Sequence, residues 1–188
     1  MPASARRLTA VAALFRGLAA VYIDVIRGIP LLLQIFIVYY GVAILGLKMN
    51  IFWAGVLALT ICYAAYEAEI FRAGIESIHK GQMEAARSLG MSYFQAMRHI
   101  ILPQAFRVVL PPLGNDFMAM LKDSSLISVI ALPEILQQGR LWVSRTFRAF
   151  EGYNTVALFY LVMTLLLSLL VRLIERRTSL PGQSEESK

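Results

Sequence analysis

The chain has 188 residues, of which 58% are hydrophobic and 16% charged, with a formal net charge of +6 and a mean hydropathy of +0.63. That balance is foreign to a soluble domain of this size and belongs to a membrane protein. The basic excess does not indicate nucleic acid, because lysine and arginine flank apolar segments instead of gathering on one face.

Residues 1–27 carry Arg6, Arg7, Arg16 and Arg27 around two apolar pieces, 8–15 and 17–23. Each piece is far shorter than the roughly 20 residues that cross a bilayer, so the segment is predicted to be a basic amphipathic helix at the interface. No small-residue cleavage site follows a continuous apolar core, which argues against a signal peptide. Residues 28–47 are free of charge, with Pro30 near the first turn where a missing N–H is harmless, and are expected to form one span. A turn at 46–50 leads into a second span at about 49–70. The single cysteine, Cys62, lies in that run; it excludes an intramolecular disulfide and is read as a packing residue.

Segment 72–107 carries Arg72, Lys80, Arg87, Arg98 and Arg107, and the positive-inside rule places it in the cytoplasm. Within it, Glu84-Ala85-Ala86-Arg87-Ser88-Leu89-Gly90 forms a polar island. Gly90 is a natural helix stop, and Ser92 with Gln95 three residues on forms a capping box, so two short helices around a tight turn are expected. Ala85 and Ala86 present almost no side chain, and Glu84 offers a carboxylate near the helix start. Such a shape suits docking into a groove on a partner. His79 and His99 are twenty residues apart with no third ligand in view, and there is no Gly-rich phosphate loop, so neither metal nor nucleotide chemistry is expected of this chain.

A third, broken span is expected at about 107–132. Its uncharged runs are interrupted by Asp116 and by Lys122-Asp123, and an ionisable residue inside a membrane costs about 2.5–3.5 kcal/mol on insertion scales. Such residues mark a pathway or site. Asp116 and Asp123 are seven apart and share one side of a helix, with Lys122 about 100° round from Asp123. Carboxylates suit an ammonium group, while a lysine or a released backbone N–H suits a carboxylate. Pro111, Pro112 and Gly114 are expected to break the helix and release such groups. The competing reading makes Lys122 and Asp123 a structural ion pair, or Asp123 the cap of the segment that begins at Ser124.

Residues 133–153 hold Arg140, Arg145 and Arg148 with Trp142 and Phe147. They read as a polar helical connection on the outer side, either a solvated helix or a face for an acidic partner. Residues 152–172 are dense in leucine and form the clearest span, closed on the cytoplasmic side by Arg172, Arg176 and Arg177. Residues 178–188 are expected to be a disordered tail.

Glu84, Ala85, Ala86, Gly90, Ile100, Leu102 and Pro103 together meet a spaced pattern that resembles the cytoplasmic coupling loop of ABC-importer permeases. Further stretches resemble the polar amino-acid permeases: Arg27-Gly28-Ile29-Pro30-Leu31-Leu32-Leu33-Gln34, Glu69-Ile70-Phe71-Arg72-Ala73-Gly74-Ile75, Gly81-Gln82, Leu110-Pro111-Pro112-Leu113-Gly114-Asn115 and Lys122-Asp123-Ser124-Ser125-Leu126. The likeness runs from about Arg27 to about Arg177.

The resemblance implies an all-α, polytopic bundle of the type I importer kind, in a bacterial inner membrane, with residues 72–105 as the coupling loop. It implies ATPase coupling through Glu84, Ala85, Ala86, Gly90, Ile100, Leu102 and Pro103, and a substrate pathway near Asn115, Asp116, Lys122, Asp123 and Ser124. The implied partners are an ABC ATPase dimer that binds ATP in place of this chain, a second permease copy or paralogue, an extracytoplasmic solute-binding protein and a polar amino acid. Relatives usually carry a further spanning helix before this region, so a shortened N-terminus is expected, to be sought as an apolar stretch upstream in the genomic DNA. The rival readings are a membrane scaffold or channel subunit, or a permease for another small polar solute such as an opine.

Overall fold

The computed structural model describes residues 3–178, and their side chains over 13–176; the side chains of Arg6, Arg7 and Arg177 and the tail from Ser179 lie outside what is described. All regular structure among the described residues is helical. The chain divides into two compact units, Met1–Glu69 and Ile70–Lys188.

The first unit contains α1 (Ala3–Gly28), α2 (Leu31–Ile44) and most of α3 (Ile51–Glu76). The residue before a proline is pushed out of the helical region, so α1 stops ahead of Pro30 and α2 starts from it; the two helices bend by 108°. Gln34 fastens this elbow. Only 4% exposed, it donates from Nε2 to the carbonyls of Ile26 and Ile29, both at 2.8 Å, serving the acceptors left open where α1 ends. Within the uncharged stretch 28–47, the α-helix covers 14 residues, about 21 Å of rise. Gly46 (φ 74°) closes α2, with Leu47 N–H bonding to Val42 O and Gly46 N–H to Ala43 O, and Asn50 Oδ1 then accepts from Phe52 N–H to open α3. The Tyr22 hydroxyl donates to Ile61 O at 2.6 Å, and the Arg27 guanidinium lies over the Tyr66 ring at 5.3 Å, tying α1 to α3. Cys62 is buried in α3.

The second unit takes the end of α3, then α4 (Lys80–Ser88), α5 (Tyr93–Ala96), a π-turn (Met97–Ile101), α6 (Leu102–Asp123), a 3-10 segment (Ser124–Ile130), α7 (Ile135–Thr146) and α8 (Ala149–Thr178). Helix α8 packs against both α6 and α7. These contacts are made with very small residues. Gly114 of α6 meets Val171 of α8, Gly139 of α7 meets Val156 of α8 and Gly152 of α8 meets Val143 of α7, which brings backbones close where lipid leaves little hydrophobic drive between helices. Leu158, Leu161, Leu165 and Leu169 of α8 are instead exposed, as suits a helix that meets acyl chains or another subunit. Helices α3 and α8 are each long and apolar enough to cross a membrane, and residues 13–28 with α2 pass the same test as a bent pair.

Two expectations need correction. Pro111 and Pro112 do not break the helix: α6 runs through both, and the change of helix type comes at Ser124. Both prolines are exposed, and the acceptors they leave without an N–H are the carbonyls of Arg107 and Val108. Gly114 is buried at the contact with α8 and acts there as a close-approach residue, not a breaker. The second helix after Gly90 is also not a short one. Helical backbone continues from Tyr93 through the π-turn to Asp123, the turn ahead of Pro103 being widened so that its ring clears the carbonyl four residues back.

Candidate functional site

The knuckle begins at His79. Its Nδ1 accepts from Gly81 N–H at 3.1 Å and caps α4, and a Cβ on Gly81 would come within 2.9 Å of that nitrogen. Nine residues later the helix closes at Gly90 (φ 84°), with Met91 N–H bonding to Ala86 O and Gly90 N–H to Arg87 O. Ser92 Oγ then accepts from Gln95 N–H while Gln95 Oε1 accepts from Ser92 N–H, so the expected capping box is formed in both directions. Helix α4 packs against α5 and the π-turn.

That packing separates the residues singled out in the sequence. Ala86 is buried at 4% and faces inward with Ala96 and Ile101, whereas Glu84, Ala85 and Gly90 are exposed. Leu102 and Pro103 are exposed and Ile100 is half-buried. The knuckle also displays Leu89, Tyr93 and Phe94, with Leu89 at 84% and Phe94 at 73% exposure. The sequence reading missed these three. Their signal was apolar residues beside a helix stop, where a self-contained loop has no reason to put them.

Further along α6, Asp116 and Asp123 are half-buried while Asn115 and Lys122 are exposed. The seven-residue spacing thus gives two faces, an inner acidic one and an outer amide and ammonium one. The two carboxylates are separated by about 10 Å along the axis. Ser124 Oγ donates to Leu121 O at 2.7 Å, and Asp123 makes no side-chain cap on the 3-10 segment, which removes the capping role as its explanation.

Beyond Ser124 lie groups that sequence reasoning did not single out. Ser128 is 3% exposed and its Oγ has no hydrogen-bond partner. Ala131 adopts a left-handed backbone (φ 63°) that ends the 3-10 segment. Glu134 then caps α7: its carboxylate accepts from Leu136 N–H, Gln137 N–H and, at 2.9 Å, the Tyr160 hydroxyl of α8. Tyr160 was hidden by its distance of 26 positions from Glu134. An open groove of about 980 Å³ follows α7 and α8, bounded by Glu134, Trp142, Arg145, Val156 and Phe159 among others. Of the three arginines in this region Arg145 lines the groove, Arg148 pairs with Glu151 at 2.9 Å, and Arg140 is exposed.

Comparison with known proteins identifies the family and the fold. Residues 8–180 match the family described as binding-protein-dependent transport system inner membrane component. The chain is similar to the probable glutamine ABC transporter permease protein GlnM of Bacillus subtilis, 51% identical over 160 residues, covering 85% of this chain and 74% of that protein. It is also similar to the glutamine transport system permease protein GlnP of Escherichia coli K12, 44% identical over 161 residues and covering 85% and 74%. Among solved structures, an amino acid ABC transporter with histidines superposes with a TM-score of 0.80 at 49% identity, covering 84% of this chain and 74% of that one. The inward-facing methionine transporter MetNI has the same fold, with a TM-score of 0.75 at 21% identity and coverage of 92% and 79%. With the family match spanning nearly the whole chain, this protein belongs to the multi-pass inner-membrane permease components of binding-protein-dependent ABC transport systems.

Proposed function

We propose that this chain is the permease subunit of an ATP-driven importer for polar amino acids, lining the pathway and taking its motion from a partner ATPase dimer. The observation that carries the reading is one continuous helical path. It starts at Tyr93 and ends at Asp123, so Tyr93, Phe94, Leu102 and Pro103 of the docking surface lie on the same helical path as the acid-bearing face.

In this reading Glu84, Ala85, Gly90, Leu102 and Pro103, with Leu89, Tyr93 and Phe94, meet the ATPase. Ala86 and Ile100 act from behind, by holding the knuckle against α5 and the π-turn. Closure of two ATPase subunits on ATP draws two knuckles together and favours one arrangement of the bundle over the other, because nucleotide is bound better in the closed state. Asp116 and Asp123 receive the ammonium of the solute, with Asn115, Lys122 and Ser124 nearby for its carboxylate and polar side chain. A second permease copy or a paralogue completes the pathway, and an extracytoplasmic binding protein delivers the solute. The amide side chain named for the two glutamine permeases makes glutamine the first solute to test.

The test is uptake of labelled glutamine into vesicles that contain the permease with its ATPase and binding protein. ATP-dependent accumulation that is lost in Gly90→Arg supports the reading. A complex that purifies without any ATPase, or accumulation indifferent to Gly90→Arg, overturns it.

A further inference from the structure

We propose that Gln104 is a positioning residue for coupling, the donor that stiffens the wide turn between the knuckle and the acid-bearing helix; this rests on the coupling role of residues 84–103. Leu102 N–H bonds to Met97 O, five residues back, so the backbone at Met97–Ile101 holds one more residue per turn than α5 or α6. Pro103 explains why. Its ring would collide with the carbonyl four residues earlier in a regular α-helix, and it brings no N–H of its own. Widening the preceding turn removes the collision but leaves the turn short of one main-chain donor. Gln104 Nε2 donates to Ile100 O at 2.8 Å, one residue beyond the carbonyl that Pro103 leaves open, and adds a side-chain bond across the junction of the wide turn and α6.

The position of this turn gives the bond its consequence. Ala96, Ile101 and Ala105, on and beside the turn, are buried, while Leu89 and Phe94 of the knuckle are exposed. A load applied to the knuckle therefore reaches α6 by way of Met97–Ile101. A turn that yields absorbs the displacement locally. A turn held by an additional donor passes it on, and α6 moves as a rod with Asp116 and Asp123 on it. Gln104 touches neither solute nor nucleotide in this scheme; it acts through the carbonyl of Ile100.

The experiment uses the complete transporter in vesicles and reads glutamine accumulated per ATP hydrolysed, alongside basal ATPase rate and co-purification of the ATPase. Gln104→Glu keeps the shape and replaces the donating amide by an acceptor, and Gln104→Met removes the donor without adding charge. Gln104→Thr places a hydroxyl that donates to the carbonyl four residues back. The expected result is a drop of roughly five- to tenfold in solute moved per ATP for the Glu and Met variants, the scale set by one hydrogen bond, with basal ATPase and assembly unchanged. Gln104→Thr recovers most of the ratio. An unchanged ratio in Gln104→Met overturns the proposal, as does equal impairment of the Thr and Met variants, which would assign the effect to side-chain shape. Gly90→Arg separates the levels. Uncoupling by Gly90→Arg with normal coupling in Gln104→Met removes only the role of Gln104, whereas normal coupling in both removes the coupling reading itself.

Discussion

A Cβ placed on Gly114 would stand 2.3 Å from Cγ1 of Val171, so α6 and α8 meet where one helix has no side chain and the other fills the gap. The same arrangement recurs between Gly139 and Val156, at 2.3 Å, and between Gly152 and Val143, at 2.4 Å. Glycine costs helix propensity at each position, and close helix contact offsets that cost. Gly114→Ala is expected to destabilise the permease by about 1–3 kcal/mol, the usual penalty of overpacking. Val171→Ala in the same chain should return part of that loss. Thermal unfolding of the purified protein in detergent measures both, and additive effects of the two substitutions would show that the residues do not share a contact.

Gly90 holds a left-handed backbone at the end of α4. Any residue with a Cβ pays about 1–2 kcal/mol there. Gly90→Ala should therefore loosen the knuckle without filling its exposed surface, raising hydrogen exchange over residues 84–92 and leaving α8 unaffected. Protection equal to that of the parent protein would mean that the turn accommodates a side chain.

Asp123 sits half-buried at the end of α6, one position before the 3-10 segment. Asp123→Asn preserves size and removes charge, so stimulation of ATP hydrolysis by the loaded binding protein should be lost while the complex still assembles. ATPase assays with and without solute give the answer. Full stimulation in the variant would take Asp123 out of the pathway.

The Tyr160 hydroxyl donates to Glu134, whose carboxylate also accepts two N–H groups at the start of α7. Removing the donor with Tyr160→Phe should cost about 0.5–1.5 kcal/mol, and removing the carboxylate with Glu134→Ala more, since two helix N–H groups lose their partner as well. The order of the two unfolding temperatures tests this, and the reverse order would contradict the capping role of Glu134.

Gln34→Leu keeps the elbow apolar and deletes the amide that serves Ile26 O and Ile29 O. Ile29 O then loses its amide donor and Ile26 O keeps only the long 3.4 Å bond from Ile29 N–H, at about 1–3 kcal/mol for a buried unsatisfied group. Faster exchange of amides over residues 26–34 is the expected outcome, and unchanged exchange would mean that the 108° bend is maintained by Pro30 alone.

The membrane class, the helical content, the stop at Gly90, the capping box at Ser92 and Gln95, and the family all follow from the sequence alone. Each depends on neighbours a few positions apart or on the summed apolarity of a run, and such terms survive without knowledge of the fold. Tertiary structure alone decided the rest. Ala86 turned inward while Ala85 stayed exposed, Gly114 became a contact with Val171, and Glu134 found Tyr160 across 26 positions. Pro111 and Pro112, breakers by local rule, remained inside α6, a helix that packs against α8. Which face of a helix is buried, and how closely two helices approach, depends on what lies opposite, and that is written in a distant part of the chain.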